Sequence, residues 1–335
     1  MEALVEEPFL ALLDAFDHFS RAQPWQVLGS QQLFGVVHPS SGELGWCSVL
    51  GAGGLERGLQ VYRGAWGLSN FVTVTTAEDE DEALQERFLF DCLFCSCAGP
   101  EELDSTDRAL LAQAGHTYRG RGSWPLMRSF HPFCAPQRLH SEEMVMLTTC
   151  LRMCVEAMDL VQSRAGQQAL QQGFPVFEHG VAEGWRVSFR LAEVQKPLIV
   201  PFEPDEVSLG ALRRRGGGMH VVQVHCAFLP HAVHDRSPPW YPFMVMVVDK
   251  ATGFILNHGI VEPFGDRYGR ACERLVEALL ELEHLPGTIE VRDERLHQAL
   301  QLLCCRADIA LQLRDELDML DTALRQLSGL LSQER

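Results

Sequence analysis

The sequence predicts an α+β protein, and three observations carry that prediction. The first hundred residues set short apolar runs between glycine-rich turns, as small antiparallel sheets do. A long helical pattern dominates the stretch that follows. The last third runs strand, turn, strand, helix, strand, helix, strand, helix. The expected layout is an N-terminal helix plus small antiparallel sheet over 1–100. A helical and irregular middle region over 101–180 and a three-layer α/β unit over 181–335 complete it. A chain of 335 residues has room for two or three such domains.

The elements follow in order. Residues 3–20 place Leu4, Leu10, Leu12, Leu13, Phe16 and Phe19 on one helical face, and Pro24 ends the pattern. Segments 33–37, 45–50 and 59–62 read as strands, joined by the turns Pro39-Ser-Ser-Gly42 and Gly51-Ala-Gly-Gly54. Residues 78–82 read as a solvated acidic loop. Residues 83–98 are apolar without a decisive period, so helix and strand both remain open. Ser105 is placed to cap a helix reaching Gln113, and Ser141 to cap a long one reaching Arg164. Between them, 119–136 reads as irregular. Residues 185–191 alternate like a half-buried strand, and 205–215 form a short helix stopped by Gly216-Gly-Gly218.

The last unit begins with strands at 219–229, 243–248 and 254–261. Gly253 closes the turn between the second and third. A helix at 267–283, a strand at 288–292, a helix at 294–305, a strand at 308–313 and a helix at 315–331 follow. Leu275, Leu279 and Leu282 share one helical face, as do Leu317, Leu320, Leu324 and Leu327.

Composition narrows the function classes. No apolar run approaches the roughly 20 residues that span a bilayer. The start of the chain has no basic region of a secretory signal. Eleven cysteines, an odd number lying mostly in apolar periodic segments, read as reduced core thiols. These features predict a cytoplasmic protein. The net charge of −17 is uneven: residues 1–100 carry 4 basic and 14 acidic groups, whereas 101–240 carry 14 and 15. An acidic chain repels nucleic acid except where cations cluster, which confines such binding to the middle of the chain.

Several phrases together resemble a group of bacterial hypothetical proteins whose domains are of unknown function. They are Val37-His-Pro-Ser-Ser-Gly-Glu-Leu-Gly-Trp-Cys-Ser-Val-Leu-Gly51, Gly58-Leu-Gln-Val-Tyr-Arg-Gly64, Tyr118-Arg-Gly-Arg-Gly-Ser-Trp-Pro-Leu-Met-Arg-Ser-Phe-His-Pro132, Val247-Val-Asp-Lys-Ala-Thr-Gly253 and Ile289-Glu-Val-Arg-Asp293. That resemblance implies no activity. The order of elements in the last third resembles the ribonuclease H-like core of integrases and transposases. This second resemblance implies a two-metal site built from an acid in the first strand, one after the fourth strand and one or more on the last helix. Asp293 matches the second position. Asp315, Glu316, Asp318 or Asp321 could supply the third, with Asp318 and Asp321 preferred. His225 stands near the first, where a carboxylate is required. Asp249 lies at a turn, where Asp is a common local hydrogen-bonder.

Other candidates rest on residue type and spacing. Arg119, Arg121, Trp124 and Arg128 interleave cations with an aromatic, the pattern of a recognition surface for phosphate, carboxylate or stacked bases. Pairing with this chain's own acids is the competing explanation. Arg213-Arg-Arg215 is a second basic spot, and a helix C-terminus accounts for it. Cys92, Cys95 and Cys97 have half the spacing of a zinc site, but their apolar context reads as buried thiols. If a metal binds, His225, His231, His234 and Asp235 are the first choice, although prolines around His231 make that segment a loop. Gly51-Ala-Gly-Gly54 opens no helix and so reads as a hairpin turn, not a phosphate loop. No cofactor is implied. The reading is a non-catalytic binding or interaction module with a protein partner. A divergent metal-dependent nuclease and a structural subunit are the alternatives.

Overall fold

The computed structural model describes residues 7–333, except 55, 78, 181–183, 192–193 and 196–197. Leu4, Glu78 and the Leu327 side chain therefore lie outside the described residues. The fold is α+β, with two mixed sheets. The chain divides into a unit over 1–196 and a unit over 197–335.

In the first unit, α1 (Glu7–Ala22) precedes β1 (Phe34–Val37), β2 (Leu44–Leu50) and β3 (Gly58–Arg63). Next come α2 (Gly64–Thr76), α3 (Glu80–Arg87), β4 (Cys92–Ala98), α4 (Ser105–Gln113) and β5 (Trp124–Phe130). The unit ends with α5 (Ser141–Gln162), α6 (Arg164–Ala169), β6 (Phe174–Gly180) and β7 (Gly184–Arg190). One seven-stranded sheet runs β5-β4-β3-β2-β1-β6-β7, antiparallel except where β1 meets β6.

The small three-stranded sheet expected from sequence is thus only the centre of a larger one. The expected seam near residue 100 falls between β4 and β5, which pair along their whole length. The second expected boundary, near 180, would cut the β6–β7 hairpin. Sheet hydrogen bonds join residues far apart in sequence, and composition does not register them. Strand β5 occupies the segment expected to be irregular. Its inward residues are Pro125, Met127 and Ser129, so no apolar alternation marks it. The ambiguous 83–98 stretch holds both a helix end and a strand.

Period-two alternation gives this sheet two buried faces. Val36, Cys47, Val49 and Val61 pack with Leu12, Phe16 and Phe19 of α1 and Leu147, Leu151 and Cys154 of α5. Trp46, Tyr62 and Val176 turn the other way, onto Leu68 and Phe71 of α2. Helices α4 and α5 are capped by Asp104 and His140, one residue before the expected Ser105 and Ser141. Both caps are boxes that use an acid three residues on, Asp107 and Glu143.

In the second unit, α7 (Glu206–Arg215), β8 (Val221–Phe228), β9 (Phe243–Asp249) and β10 (Ile255–Val261) come first. They are followed by α8 (Arg267–Glu281), β11 (Thr288–Val291), α9 (Glu294–Ala307), β12 (Ala310–Leu313) and α10 (Asp318–Gln333). The sheet order is β10-β9-β8-β11-β12, with the first three strands antiparallel and β11 and β12 parallel to β8. Met244, Met246 and Val248 of β9 pack under Leu317, just before α10, and Leu320 and Ala323 within it. The alternate residues Val245 and Val247 face the side where α8 packs on β9 and β10. Gly253 turns the β9–β10 hairpin at φ +71°, a conformation other residues resist. Beside it, the Asp249 carboxylate accepts the Thr252 N–H at 2.8 Å. Asp249 is the local turn-former its position implied.

Candidate functional site

The place to look for chemistry in the second unit is where β11 ends beside the middle of β8. Val291, the last residue of β11, stands opposite Val224 in the parallel register, so Arg292 and Asp293 leave the strand as β8 continues through His225 and Cys226. His225 is half-buried, and its Nδ1 atom is buried without a hydrogen-bond partner among the described residues. Burial pushes its pKa down to about 4, and the Arg292 charge acts in the same direction. Asp293 and Asp321 oppose that shift from nearby. At neutral pH the ring is therefore an uncharged imidazole.

The acids around it are engaged. Asp293 caps α9: one oxygen accepts the Arg295 N–H at 2.7 Å. The other accepts the Tyr268 hydroxyl, also at 2.7 Å. Asp321 pairs with Arg292 at 3.1 Å. Asp318 stands exposed in the first turn of α10. The conjunction a two-metal site requires, several free carboxylates on one point, is missing, and no cluster of three or more His, Cys, Asp or Glu among the described residues could hold a metal ion.

The other metal candidates are also dispersed. Asp235 accepts the Trp240 indole N–H at 2.7 Å and lies 3.6 Å from the Arg236 guanidinium. His231 and His234 share that loop and do not join His225 in a cluster. Cys92 and Cys95 are fully buried in β4, and burial raises both thiols above their ordinary range. They are core side chains, as the apolar context implied.

The arginine surface divides in two. Arg128 is largely buried and donates two hydrogen bonds to the Asp107 carboxylate, with Arg138 joining the same acid. Trp124 packs on Tyr118 and donates its indole N–H to the Gly120 carbonyl. Only Arg119 and Arg121 of the four project into solvent, and Arg121 reaches Glu101 at 2.7 Å. In the second basic spot, Arg213 donates to the Arg306 carbonyl and Arg215 to the Leu280 and Leu282 carbonyls. These two arginines tie α7 to α8 and α9.

Two buried polar networks escaped the sequence reading. In the first unit, Arg63 at the end of β3 reaches Asp91, Ser129 and Glu143. Ser129 also donates to Glu143 at 2.6 Å, and the His131 ring lies 3.1 Å from the same hydroxyl. Burial pushes the Glu143 carboxyl up, but hydrogen bonds from His131, Ser129 and the His140 N–H, with the Arg63 charge, bring it down to about 2. In the second unit, the buried Glu290 of β11 accepts from Lys250 at 2.8 and 2.9 Å and from Gln223 at 3.0 Å. Gln223 in turn accepts the Leu320 N–H, one of the free donors in the first turn of α10. The available signals were slight: a glutamate inside a four-residue apolar strand, and one of only two lysines.

No helix among the described residues is long and apolar enough to cross a membrane. Residues 10–174 match the family model described as a domain of unknown function, DUF7309, and residues 209–328 match a second such model, DUF6930. The chain thus joins two domains of unknown function, each match falling within one structural unit. No curated protein matches it.

Proposed function

We propose that the chain is a cytoplasmic, non-catalytic protein-interaction module whose second unit has a ribonuclease H-like fold without that fold's chemistry. The sheet order, with the first three strands antiparallel and the last two parallel to the first, supports the fold reading. The observation that carries the functional reading is His225. It occupies the central strand where a metal-binding carboxylate would stand, and the two acids whose charges act on it are a helix cap and the partner of Arg292. A neutral imidazole beside an aspartate engaged in capping a helix holds Mg²⁺ poorly, because that ion prefers oxygen ligands in octahedral array. The β7 edge, with no strand beyond it among the described residues and with Trp185 and Val187 exposed, supports the interaction half of the proposal, since such edges template strand addition. Incubation with single-stranded, duplex and hybrid nucleic acids, with Mg²⁺ or Mn²⁺, tests it. No cleavage is expected. Cleavage abolished by Asp293→Asn would overturn the proposal in favour of a divergent nuclease using Asp293, Asp318 and Asp321.

A further inference from the structure

The two sheets end in four edge strands, and three of them are guarded. Strand β5 carries a bridge from Ser129 to Gln137 along its outer side. Strand β10 is distorted by a register shift between Ile255 and Asn257, and such bulges turn an edge away from pairing. Strand β12 is only four residues long. Strand β7 has none of these protections. It runs seven residues in unbroken register with β6, and the described residues show no strand beyond it.

Its side chains sort by face. Trp185, Val187 and Phe189 point one way; Arg186, Ser188 and Arg190 point the other. Trp185 is 36% exposed and Val187 39%, high values for apolar side chains on a strand. From these observations we infer that β7 pairs with β7 of a second copy of this chain, antiparallel about a twofold axis at Val187. The inference rests on the interaction-module reading and names its partner.

Self-complementarity is the argument for a second copy over any other strand. With the axis at Val187, Trp185 faces Phe189 of the second copy and Val187 faces its own equivalent. The result is one continuous apolar stripe. On the other face Arg186 meets Ser188 and Arg190 meets Gly184, so no cation stands directly opposite a cation. Sliding the pairing two residues one way sets Arg186 against Arg186; sliding it the other way sets Arg186 against Arg190. Like charges directly opposed are unfavourable, so one register stands out. Glu178 of β6 pairs with Arg190 and offsets the charge gathered on that face. Closed twofold pairing also removes the edge that would otherwise template open-ended association.

Light scattering across a concentration series of the full chain reads the outcome directly. The expected mass is twice the 37.5 kDa of one chain. Val187→Lys sets two ammonium groups against each other at the axis and is expected to give a monomer with an unchanged circular dichroism spectrum. Val187→Cys is expected to yield a disulfide-linked dimer on mild oxidation, since directly opposed strand residues lie within reach of a disulfide. The unsubstituted chain, whose Cys305 is exposed, is the control and should not crosslink. A monomer at every concentration overturns the inference, and so does a dimer that Val187→Lys leaves intact. Neither result touches the nuclease assay above, so the two proposals fail separately.

Discussion

Tyr268 donates its hydroxyl to Asp293 at 2.7 Å, joining the first turn of α8 to the cap of α9. Asp293 is the acid that the order of elements nominated for catalysis. Its two oxygens are instead spent on holding two helices, one through a backbone N–H and one through a phenol. The Tyr268 side chain is buried, so the bond it makes has no ready substitute in water.

Asp293→Ala should therefore act on stability. It removes a helix cap, which costs about 1 kcal/mol. It also leaves a buried hydroxyl unpaired, which costs about 1–3 kcal/mol more. Urea unfolding should show the midpoint lowered with the slope unchanged. Asp293→Asn, which keeps a capping oxygen, should lose less.

Glu143 provides a pH test. Its pKa in the folded chain, about 2, lies below that of an unfolded glutamate. The group thus contributes fully above the unfolded value of roughly 4.3, and the contribution falls away as pH drops toward 2. Glu143→Gln leaves Arg63 with a weaker partner in a nearly buried site and should cost about 3 kcal/mol at neutral pH. Denaturant midpoints of the two proteins should converge on acidification below pH 4.

His225 should titrate far from its ordinary value. The ring resonances in an NMR pH series are expected to move with a midpoint near 4. Because the folded pKa lies below the unfolded one, the neutral ring favours folding above roughly pH 6.5, and that advantage is lost as pH falls through about 4. His225→Leu removes the unpartnered Nδ1 atom and should flatten stability between pH 6.5 and 4. A midpoint near 6.5 would contradict the buried setting.

The arginines of the first unit should separate by role. Arg128→Ala breaks a largely buried, two-pronged contact with Asp107 and should cost about 1.5–3 kcal/mol. Arg121 is 84% exposed, and Arg121→Ala should leave the melting temperature nearly unchanged. If this surface binds nucleic acid, Arg119→Ala and Arg121→Ala should weaken binding and reduce its salt dependence in fluorescence anisotropy.

Much of the fold was legible from local rules. Apolar period and turn residues placed the strands and helices of the second unit within a few residues, because each element carries its own pattern. Gly253 and Asp249 declared their turn, and the apolar setting of Cys92 and Cys95 declared burial. The site was legible only as a set of nominations. The sequence could nominate Asp293 and could note that His225 stood where an acid was needed.

What the chain does with those residues was decided in three dimensions. Asp293 becomes a cap because Tyr268, 25 positions earlier, is folded against it. Arg128 becomes a structural cation because Asp107 faces it across α4 and β5. The seven-stranded sheet overrides a compositional seam near residue 100 because β4 and β5 share a ladder of hydrogen bonds. By itself the sequence determined the period, the turns and the burial preference of each segment, since these depend on near neighbours. Which strand lies beside which, and which charge meets which, depends on contacts between distant positions. Only the tertiary structure decided those, and with them the exposure of the β7 edge.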